Sequence, residues 1–229
     1  SMQDIQAALV EFLDSPNLRY VRNVKNSGLA ASLNAGISVA CGELIARMDD
    51  DDYSLPERIA EQVKFLQTNP DIDVVGAGVA LYDRELNYIG DHLFPAKHTE
   101  IMHFLRRGNP LVHPVVMFRR SFFKRAGGYD ATLRRMEDLE LWGRMAPTSR
   151  YANLPKILLR HRVRPAKNLS AVLPGIRIRM RNGCRLGHLL SSAGWTLLYA
   201  VIEVLRHFGY RQRAFRGSVP TKAGAGFLD

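Results

Sequence analysis

The alternation of predicted strands with predicted helices is the feature that most restricts the fold of this chain. Apolar segments at residues 43–49 and 73–83 predict strands. A polar Asn-Ser-Gly entry at residues 26–28 precedes apolar residues at helical spacing, which predicts a helix that stops at Gly42. Strands that alternate with helices are typical of an α/β sandwich with a mostly parallel central sheet. We predict that architecture for residues 1–165.

The other elements continue the alternation. A capping-box pattern of Ser54 and Glu57, with Pro56 between them, predicts that a helix starts at this point. Further strands are predicted at residues 18–23, 88–94, 113–120, 151–155 and 157–163, and further helices at residues 4–14, 54–68, 98–108, 121–128 and 136–145.

The amino-acid composition of the chain changes after Pro165. Residues 160–216 are rich in arginine and nearly free of aspartate and glutamate. We therefore predict a boundary there, with residues 166–229 forming a basic, amphipathic helical C-terminal extension. Its apolar stretch at residues 189–205 is too short and too interrupted to predict a transmembrane helix. Two arrangements suit the extension: it lies on an anionic membrane surface, or it packs as a helix against the first domain.

Four consecutive aspartates at residues 49–52 follow the predicted strand that begins at Glu43. Ligands of α/β sheets bind outside the carboxyl ends of the strands, where these side chains lie. Carboxylates held close together repel one another, and a hard cation such as Mg²⁺ or Mn²⁺ relieves the repulsion. An EF-hand loop is excluded, because Ser54 stands where its glycine would be. The run is either a cation site or an acidic turn that favours the dipole of the next helix.

Several ordered motifs resemble those of the inverting family 2 glycosyltransferases, which have the GT-A fold. The chain shows NSGLAASLNAGISVACGELIARMDDDD from Asn26, LPERIAEQVKFL from Leu55 and NPLVHPVVMFRR from Asn109. GGYD and MEDLELWGRM follow at separations similar to those of the family. The resemblance covers roughly residues 18–165. It implies a GT-A sandwich that binds a nucleotide-diphospho-sugar.

The resemblance implies a donor site at the aspartate run. In such enzymes an Asp-x-Asp pair sits at the nucleotide-sugar diphosphate, and Asp49 and Asp51 fall on it. Asp51 is expected to bind Mn²⁺ or Mg²⁺, and Asp49 the same metal or the ribose. Asp52 would support them or cap the following helix. The residues expected at the nucleotide sugar are Gly28, Asn34, Arg47, Asp49 and Arg162.

The resemblance implies a catalytic site at the pair Glu137 and Asp138. An inverting transfer is a single displacement in which the acceptor hydroxyl loses its proton as it attacks, and a carboxylate can take that proton. By the resemblance, Asp138 is the general base. Glu137, Trp142 and His113 are expected to contact the acceptor, and Trp142 and His113 also suit structural roles. By themselves, the two acids would be interpreted as first-turn helix residues that favour the dipole.

The chain departs from the family pattern at two places. Family members usually have strands ahead of the region seen here, whereas this chain opens on a predicted helix, so we expect an N-terminally incomplete GT-A domain. Near the domain end, relatives often carry tyrosine-arginine-x-histidine. Arg162 takes the arginine position, His161 replaces the tyrosine and Arg164 the histidine. An arginine can bind a diphosphate directly, but it cannot ligate a metal.

These features lead to one principal interpretation and one alternative. The principal one is a hexosyltransferase that moves a sugar, with inversion and metal assistance, from a nucleotide-diphosphate donor to a glycan or lipid-linked acceptor. The alternative is a catalytically inactive GT-A-like protein that contacts a membrane or a partner. The net charge of +10 suits polyanionic partners. Since no nucleic-acid motif accompanies it, we expect no nucleic-acid partner.

The expected location is the cytoplasm or the inner face of the membrane. Cys41 and Cys184 show neither metal-site nor disulfide spacing, which favours a reducing compartment. The first residues of the chain do not resemble a signal peptide.

Overall fold

The computed structural model describes Val10, residues 15–163 and Ile178 of the 229-residue chain. The helix predicted at residues 4–14 and the extension predicted at residues 166–229 lie outside the described residues, apart from those two single positions. Within the described ranges, none of the helices has the length and apolar character that a membrane crossing requires.

The elements form an α/β arrangement. A short 3₁₀ turn, His113–Val115, precedes the fifth strand. The described helices are α1 Leu29–Val39, α2 Arg58–Thr68, α3 His98–Leu105, α4 Arg120–Ala126 and α5 Glu137–Met145. The strands are β1 Leu44–Ala46, β2 Tyr53–Ser54, β3 Val74–Tyr82, β4 Tyr88–His92, β5 Met117–Arg119 and β6 Tyr151–Arg162.

The described strands form one mixed sheet, with the order β1-β5-β3-β6-β2 and with β4 paired to β3. Only the pairing of β3 with β6 is parallel. The pairings β1–β5, β2–β6, β3–β4 and β3–β5 are antiparallel. The expectation of a mostly parallel sheet is therefore wrong for this part of the chain. Periodicity identifies strands, but it does not identify which strands become neighbours or in which direction they run.

The pairing of β3 with β6 is the longest in the sheet. Ala77 pairs with Leu154, and the next residue, Gly78, pairs with Ile157. Pro155 and Lys156 therefore form an irregularity in β6, as expected where proline offers no N–H to the ladder. The two strands predicted at residues 151–155 and 157–163 are in fact one strand with this interruption.

Two other local predictions are wrong. Residues 18–23 form no regular structure, so their alternating pattern does not produce a strand. The helix predicted from Ser54 begins at Arg58 instead, with Glu57 at the N-cap and no side-chain capping bond. Ser54 lies in β2, opposite Leu159 of β6. Pairing with β6 overrides the local capping pattern, because it satisfies the backbone of residues 53–54 in the sheet.

Two apolar clusters cover the two faces of the sheet. Neighbouring strand residues point to opposite faces, so Val74 and Phe118 join one cluster and Val75 and Met117 join the other. The first cluster contains buried side chains of α1, α3, α4 and α5. The second contains Leu66 of α2. The sheet is thus the middle layer of a three-layer sandwich.

A buried arginine on α2 joins three parts of this sandwich. Arg58 is only 1% exposed. Its Nη2 donates to the Arg47 carbonyl at 2.6 Å, and its Nε donates to Gln62 Oε1 at 3.1 Å. Gln62 Nε2 in turn donates to the Val115 carbonyl at 2.7 Å. Burial lowers the pKa of Arg58 to about 10, so the guanidinium is charged at neutral pH.

We predict that Arg58→Met destabilises the fold. The substitution leaves the Arg47 carbonyl and the Gln62 amide oxygen without their donor inside the core. A buried polar group that loses its partner costs about 1–3 kcal/mol, so the free energy of unfolding should fall by about 3 kcal/mol. Urea denaturation measures this change. Lys64→Met, on the exposed face of the same helix, is the control and should change stability by less than about 0.5 kcal/mol. Equal stability of the two variants would contradict the role given to Arg58.

Candidate active site

The aspartate run lies just beyond β1. The backbone of Arg47 continues the pairing of β1 with the segment before β5, since its N–H donates to the Val116 carbonyl at 3.0 Å. Beyond it, one carboxylate oxygen from each of Asp49, Asp51 and Asp52 lies within 4.8 Å of the others. Such a group of oxygen ligands fits a hard divalent cation, Mg²⁺ or Mn²⁺.

The alternative of helix-dipole acids loses its basis for this run. The dipole acts on charges within the first turn of a helix, but α2 begins only at Arg58. The expectation that Asp52 might cap this helix is wrong for the same reason.

Arg47 neutralises part of the run. Its Nη1 and Nη2 lie 2.6 and 2.5 Å from the two carboxylate oxygens of Asp49. The arginine side chain is 5% exposed and that of Asp49 33%, so the pair is sheltered on the arginine side and open on the aspartate side. The carboxylate of Asp49 is therefore accessible from the solvent side.

Asp52 anchors the run to β6. Its side chain is fully buried, and Oδ1 accepts from the backbone N–H of Arg162 at 2.9 Å and lies 2.8 Å from His161 Nδ1. Within the described residues, its buried Oδ2 has no hydrogen-bond partner, and neither has the Nε of Arg162. The structure thus places Arg162 directly beside the acidic cluster. An unpartnered buried carboxylate oxygen beside Asp49 and Asp51 also suits a cation at this point.

The second acidic pair stands at the start of α5. Asn109 Nδ2 donates to Asp138 Oδ2 at 2.5 Å, and the Leu139 N–H donates to Oδ1 at 2.8 Å. Burial raises the pKa of Asp138, against the opposing effects of these hydrogen bonds and of the Arg47 charge. Burial likewise raises the pKa of Glu137, which is 6% exposed. A carboxyl with a raised pKa is better matched to proton transfer near neutral pH.

The turn into α5 carries local strain. Met136, the N-cap residue, has φ 63° in the left-handed region, a conformation that costs a non-glycine residue about 1–2 kcal/mol. The hydrogen bond from Asn109 to Asp138 holds the first turn from outside the helix. Glu137 and Asp138 also lie where acids favour the helix dipole, but that interpretation does not explain why the two carboxyls are shielded from solvent.

His113 forms a buried polar contact beside Glu137. Its Nε2 lies 2.9 Å from the Tyr129 hydroxyl. Its Nδ1 lies 3.9 Å from Glu137 Oε1, too far for a hydrogen bond. Burial, aided by the nearby Arg47 charge, lowers the pKa of His113 to about 3, so the imidazole is neutral at physiological pH. Burial raises the pKa of Tyr129. The uncharged side chains of His113 and Tyr129 therefore line one side of the pair Glu137 and Asp138.

Arg47 connects the two acidic motifs. Its charge lowers the pKa of both Glu137 and Asp138, and Asp49 acts on Glu137 and His113. Contacts lead from one motif to the other. The Arg47 N–H donates to the Val116 carbonyl, whose own N–H donates to the His113 carbonyl, and His113 Nδ1 lies 3.9 Å from Glu137. The aspartate run and the start of α5 therefore belong to one site. The two motifs lie more than 80 residues apart in the sequence, and the fold brings them together.

Gly28 and Asn34, the two residues of α1 and its N-cap that were expected at the nucleotide sugar, have different surroundings. Gly28 is the N-cap of α1 with φ 85°, and a Cβ built on it would meet nothing within 4 Å, so its surroundings are open. Asn34 Nδ2 donates to the Tyr129 carbonyl, and Asn34 Oδ1 accepts from the Tyr129 N–H, both at 2.9 Å. Asn34 thus clamps α1 to the loop that carries Tyr129, so its amide serves the fold.

The expected contact of Trp142 with the acceptor is contradicted by its position. The side chain is completely buried. Its ring stacks on Phe122 with centroids 6.1 Å apart and meets Tyr151 edge-on at 6.4 Å. Trp142 lies one turn after Asp138 on α5, and that turn faces the core. The structural alternative for this residue is the correct one.

Three residues of the site were not singled out from the sequence. Asn109 and Tyr129 stand inside the quoted NPLVHP and GGYD motifs, and Arg58 stands inside LPER. The motifs therefore marked all three positions, but their roles depend on contacts across the fold.

Comparisons with known proteins agree on one family. The family described as Glycosyl transferase family 2 matches residues 1–127. The putative glycosyltransferase EpsE of Bacillus subtilis (strain 168) is 37% identical over 130 residues, covering 56% of this chain and 46% of that protein. The amylovoran biosynthesis glycosyltransferase AmsE of Erwinia amylovora is 37% identical over 139 residues, covering 60% and 52%.

A further relative is named by its acceptor. The UDP-Gal:alpha-D-GlcNAc-diphosphoundecaprenol beta-1,3-galactosyltransferase of Escherichia coli is 28% identical over 118 residues, covering 52% of this chain and 42% of that protein. The chain thus spans about half the length of the curated relatives it matches.

Two solved structures have the same fold. S. aureus TarS 1-349 covers 91% of this chain with a TM-score of 0.60 and 17% identity, over 59% of its own length. The mannosyltransferase PcManGT of Pyrobaculum calidifontis, solved in complex with GDP-Man and Mn²⁺, covers 92% with a TM-score of 0.56 and 16% identity, over 63% of its length. At such identities the likeness shows the fold alone, and it confirms the GT-A expectation.

Proposed function

This chain belongs to glycosyl transferase family 2, and we propose that it moves a sugar from a nucleotide-diphosphate donor to a glycan or lipid-linked acceptor with inversion. One observation carries the proposal. An oxygen cluster suited to a divalent cation and a buried carboxyl pair with raised pKa values meet around Arg47. A nucleotide-sugar transfer needs both halves, one for the leaving diphosphate and one for the attacking hydroxyl.

The donor half is the aspartate run. Asp51 and Asp49 would hold Mn²⁺ or Mg²⁺, while Asp52 fixes the run to β6 through the backbone of Arg162. When bound, the cation stabilises the negative charge that develops on the leaving nucleoside diphosphate. Arg162, whose buried Nε has no partner among the described residues, would add a donor to the diphosphate. Mn²⁺ in the PcManGT complex agrees with this choice of metal.

The acceptor half is the start of α5. The acceptor hydroxyl oxygen forms the new bond to the anomeric carbon as the bond to the diphosphate oxygen breaks. The hydroxyl proton passes to Asp138, whose Oδ2 is oriented by Asn109. Attack from the side opposite the leaving group inverts the configuration. Glu137 and the neutral pair His113 and Tyr129 would line the acceptor side.

The alternative of an inactive GT-A-like binding protein has less support. A protein without catalysis needs neither the oxygen cluster nor the raised pKa of Asp138, and both are present. Contact with an anionic membrane and a cytoplasmic location remain predictions. They rest on residues 166–229 and on the cysteines rather than on the described site.

We predict that Mn²⁺-dependent binding of a nucleoside diphosphate requires Asp51. Asp51→Asn removes one charged ligand from the cluster, so affinity for UDP and GDP in the presence of Mn²⁺ should fall to the level measured without metal. Isothermal titration with and without Mn²⁺ measures this. Asp50→Asn is the matched control, because Asp50 is exposed and outside the cluster. Unchanged metal-dependent affinity in Asp51→Asn, at an unchanged melting temperature, would contradict the assignment.

We predict that Asp138→Asn loses turnover while donor binding persists. The amide keeps the size of the side chain, but it cannot take the acceptor proton. Loss of a general base typically costs about 10²–10⁴-fold in rate, measured as transfer to acceptor in the complete protein. Glu137→Gln should cost less, mainly through the acceptor KM. Near-normal transfer by Asp138→Asn would show that another group is the base, with Glu137 the next candidate.

A further inference from the structure

Two loops meet at the candidate general base, and exposed arginines lie on both. The hydrogen bond between Asn109 and Asp138 joins the loop after α3 to the loop before α5. Arg107 precedes Asn109 by two residues, and Arg134 and Arg135 precede Asp138 by four and three residues. All three arginines are exposed. Three positive charges therefore lie on the two loops that meet at the acceptor half.

These arginines differ from those that the described fold uses. Arg119 and Arg120 are used by the fold, since their Nε atoms donate to the carbonyls of Ile72 and Gly42 at 2.9 and 2.7 Å. The partly exposed Arg125 is likewise paired, with Asp73 at 2.6 Å. By contrast, the side chains of Arg107, Arg134 and Arg135 make no hydrogen bond or ion pair within the described part of the chain.

The acids at the two ends of the loop before α5 have hydrogen-bond partners or neighbours other than these arginines. Asp130, at the start of the same loop, accepts from the N–H and the hydroxyl of Thr132 through Oδ1. Glu137 and Asp138 are turned into the site, where Asp138 accepts from Asn109 Nδ2 and the Leu139 N–H and Glu137 lies 3.9 Å from His113. The loops thus present a cationic rim, and unpaired guanidinium groups are the side chains best suited to bind phosphate through two parallel hydrogen bonds.

From this rim we propose that the acceptor carries a phosphate or diphosphate group, which Arg107, Arg134 and Arg135 bind. The inference rests on the proposed transferase function. The donor diphosphate already has its own partners in the aspartate run, the cation and Arg162. An anion at the α5 side therefore belongs to the acceptor. A sugar linked to a lipid through a diphosphate has this chemistry, and its sugar hydroxyl would reach Asp138 while its diphosphate stays at the rim.

The simpler account of the three arginines is a solvated surface. Exposed arginines are common, and a chain with net charge +10 carries many. A solvated surface predicts that the site treats charged and neutral acceptors alike. The rim predicts discrimination between them, so one comparison separates the two accounts.

The first test is equilibrium binding of a fluorescent sugar-diphospholipid in neutral detergent micelles, with the neutral alkyl glycoside of the same sugar as the comparison. The double variant Arg134→Gln with Arg135→Gln should weaken binding of the diphospholipid about ten-fold or more, since a hydrogen bond to a charged group is worth about 1.5–3 kcal/mol. Binding of the neutral glycoside should not change. Arg84→Gln with Lys64→Gln removes two exposed charges elsewhere and should leave both affinities unchanged.

The second test separates this inference from the proposed function. In the transfer assay, the Arg134 and Arg135 double variant should show a raised KM for the diphospholipid acceptor, with KM for the donor unchanged. If the complete wild-type protein binds the diphospholipid but transfers a sugar to no acceptor, the proposed function is wrong, whereas binding of the diphosphate by the arginines is retained. If transfer proceeds and the double variant has the wild-type KM for both acceptors, the arginines do not bind the acceptor phosphate, whereas the proposed function is retained.

A third arm distinguishes the acceptor phosphate from membrane headgroups. Vesicles of anionic phospholipid without any acceptor should bind the wild type and the double variant equally. If instead the double variant loses vesicle binding and retains diphospholipid binding in micelles, the arginines serve the membrane surface, and the inference about the acceptor is overturned.

Discussion

The hydrogen bond from the Arg58 guanidinium to the Arg47 carbonyl is the contact on which the site depends. It holds the chain at the point where β1 ends and the aspartate run begins. The same side chain bonds Gln62, which reaches the Val115 carbonyl on the neighbouring segment. A charged group 1% exposed is expensive to bury unless its donors are used. Its use here is to fix the backbone from which Arg47 and the aspartates project.

The positive charge of Arg47 acts on both halves of the site. It pairs with both oxygens of Asp49 and also lowers the pKa of Glu137 and Asp138. In the proposed function, a metal and a diphosphate bound at Asp49 would weaken this pairing and so change the electrostatic effect of Arg47 on the acceptor half. The sheltered position of Arg47, 5% exposed, strengthens such coupling, because solvent screens it less than it would screen a surface charge.

The sequence predicted the elements better than their arrangement. Helices α1, α3, α4 and α5 and strands β1, β3 and β4 form where the periodicity indicates. Strand direction could not be predicted, since four of the five described pairings proved antiparallel. The local start signal at Ser54 failed because sheet pairing to Leu159 competes with capping. For Trp142 an acceptor contact and a structural role stayed open, because helical position alone does not say which turn faces the core.

The central claim is that the aspartate run and the start of α5 form one site. Paramagnetic broadening of NMR signals by Mn²⁺ tests it directly. Mn²⁺ bound at Asp51 should broaden the Asn109 side-chain amide and the Leu139 backbone amide along with the run itself. The Arg150 amide, at the other end of β6 and about 30 Å away by strand rise, should stay sharp. If the signals of Asn109 and Leu139 also stay sharp while those of the run broaden, the two motifs are separate and the account is wrong.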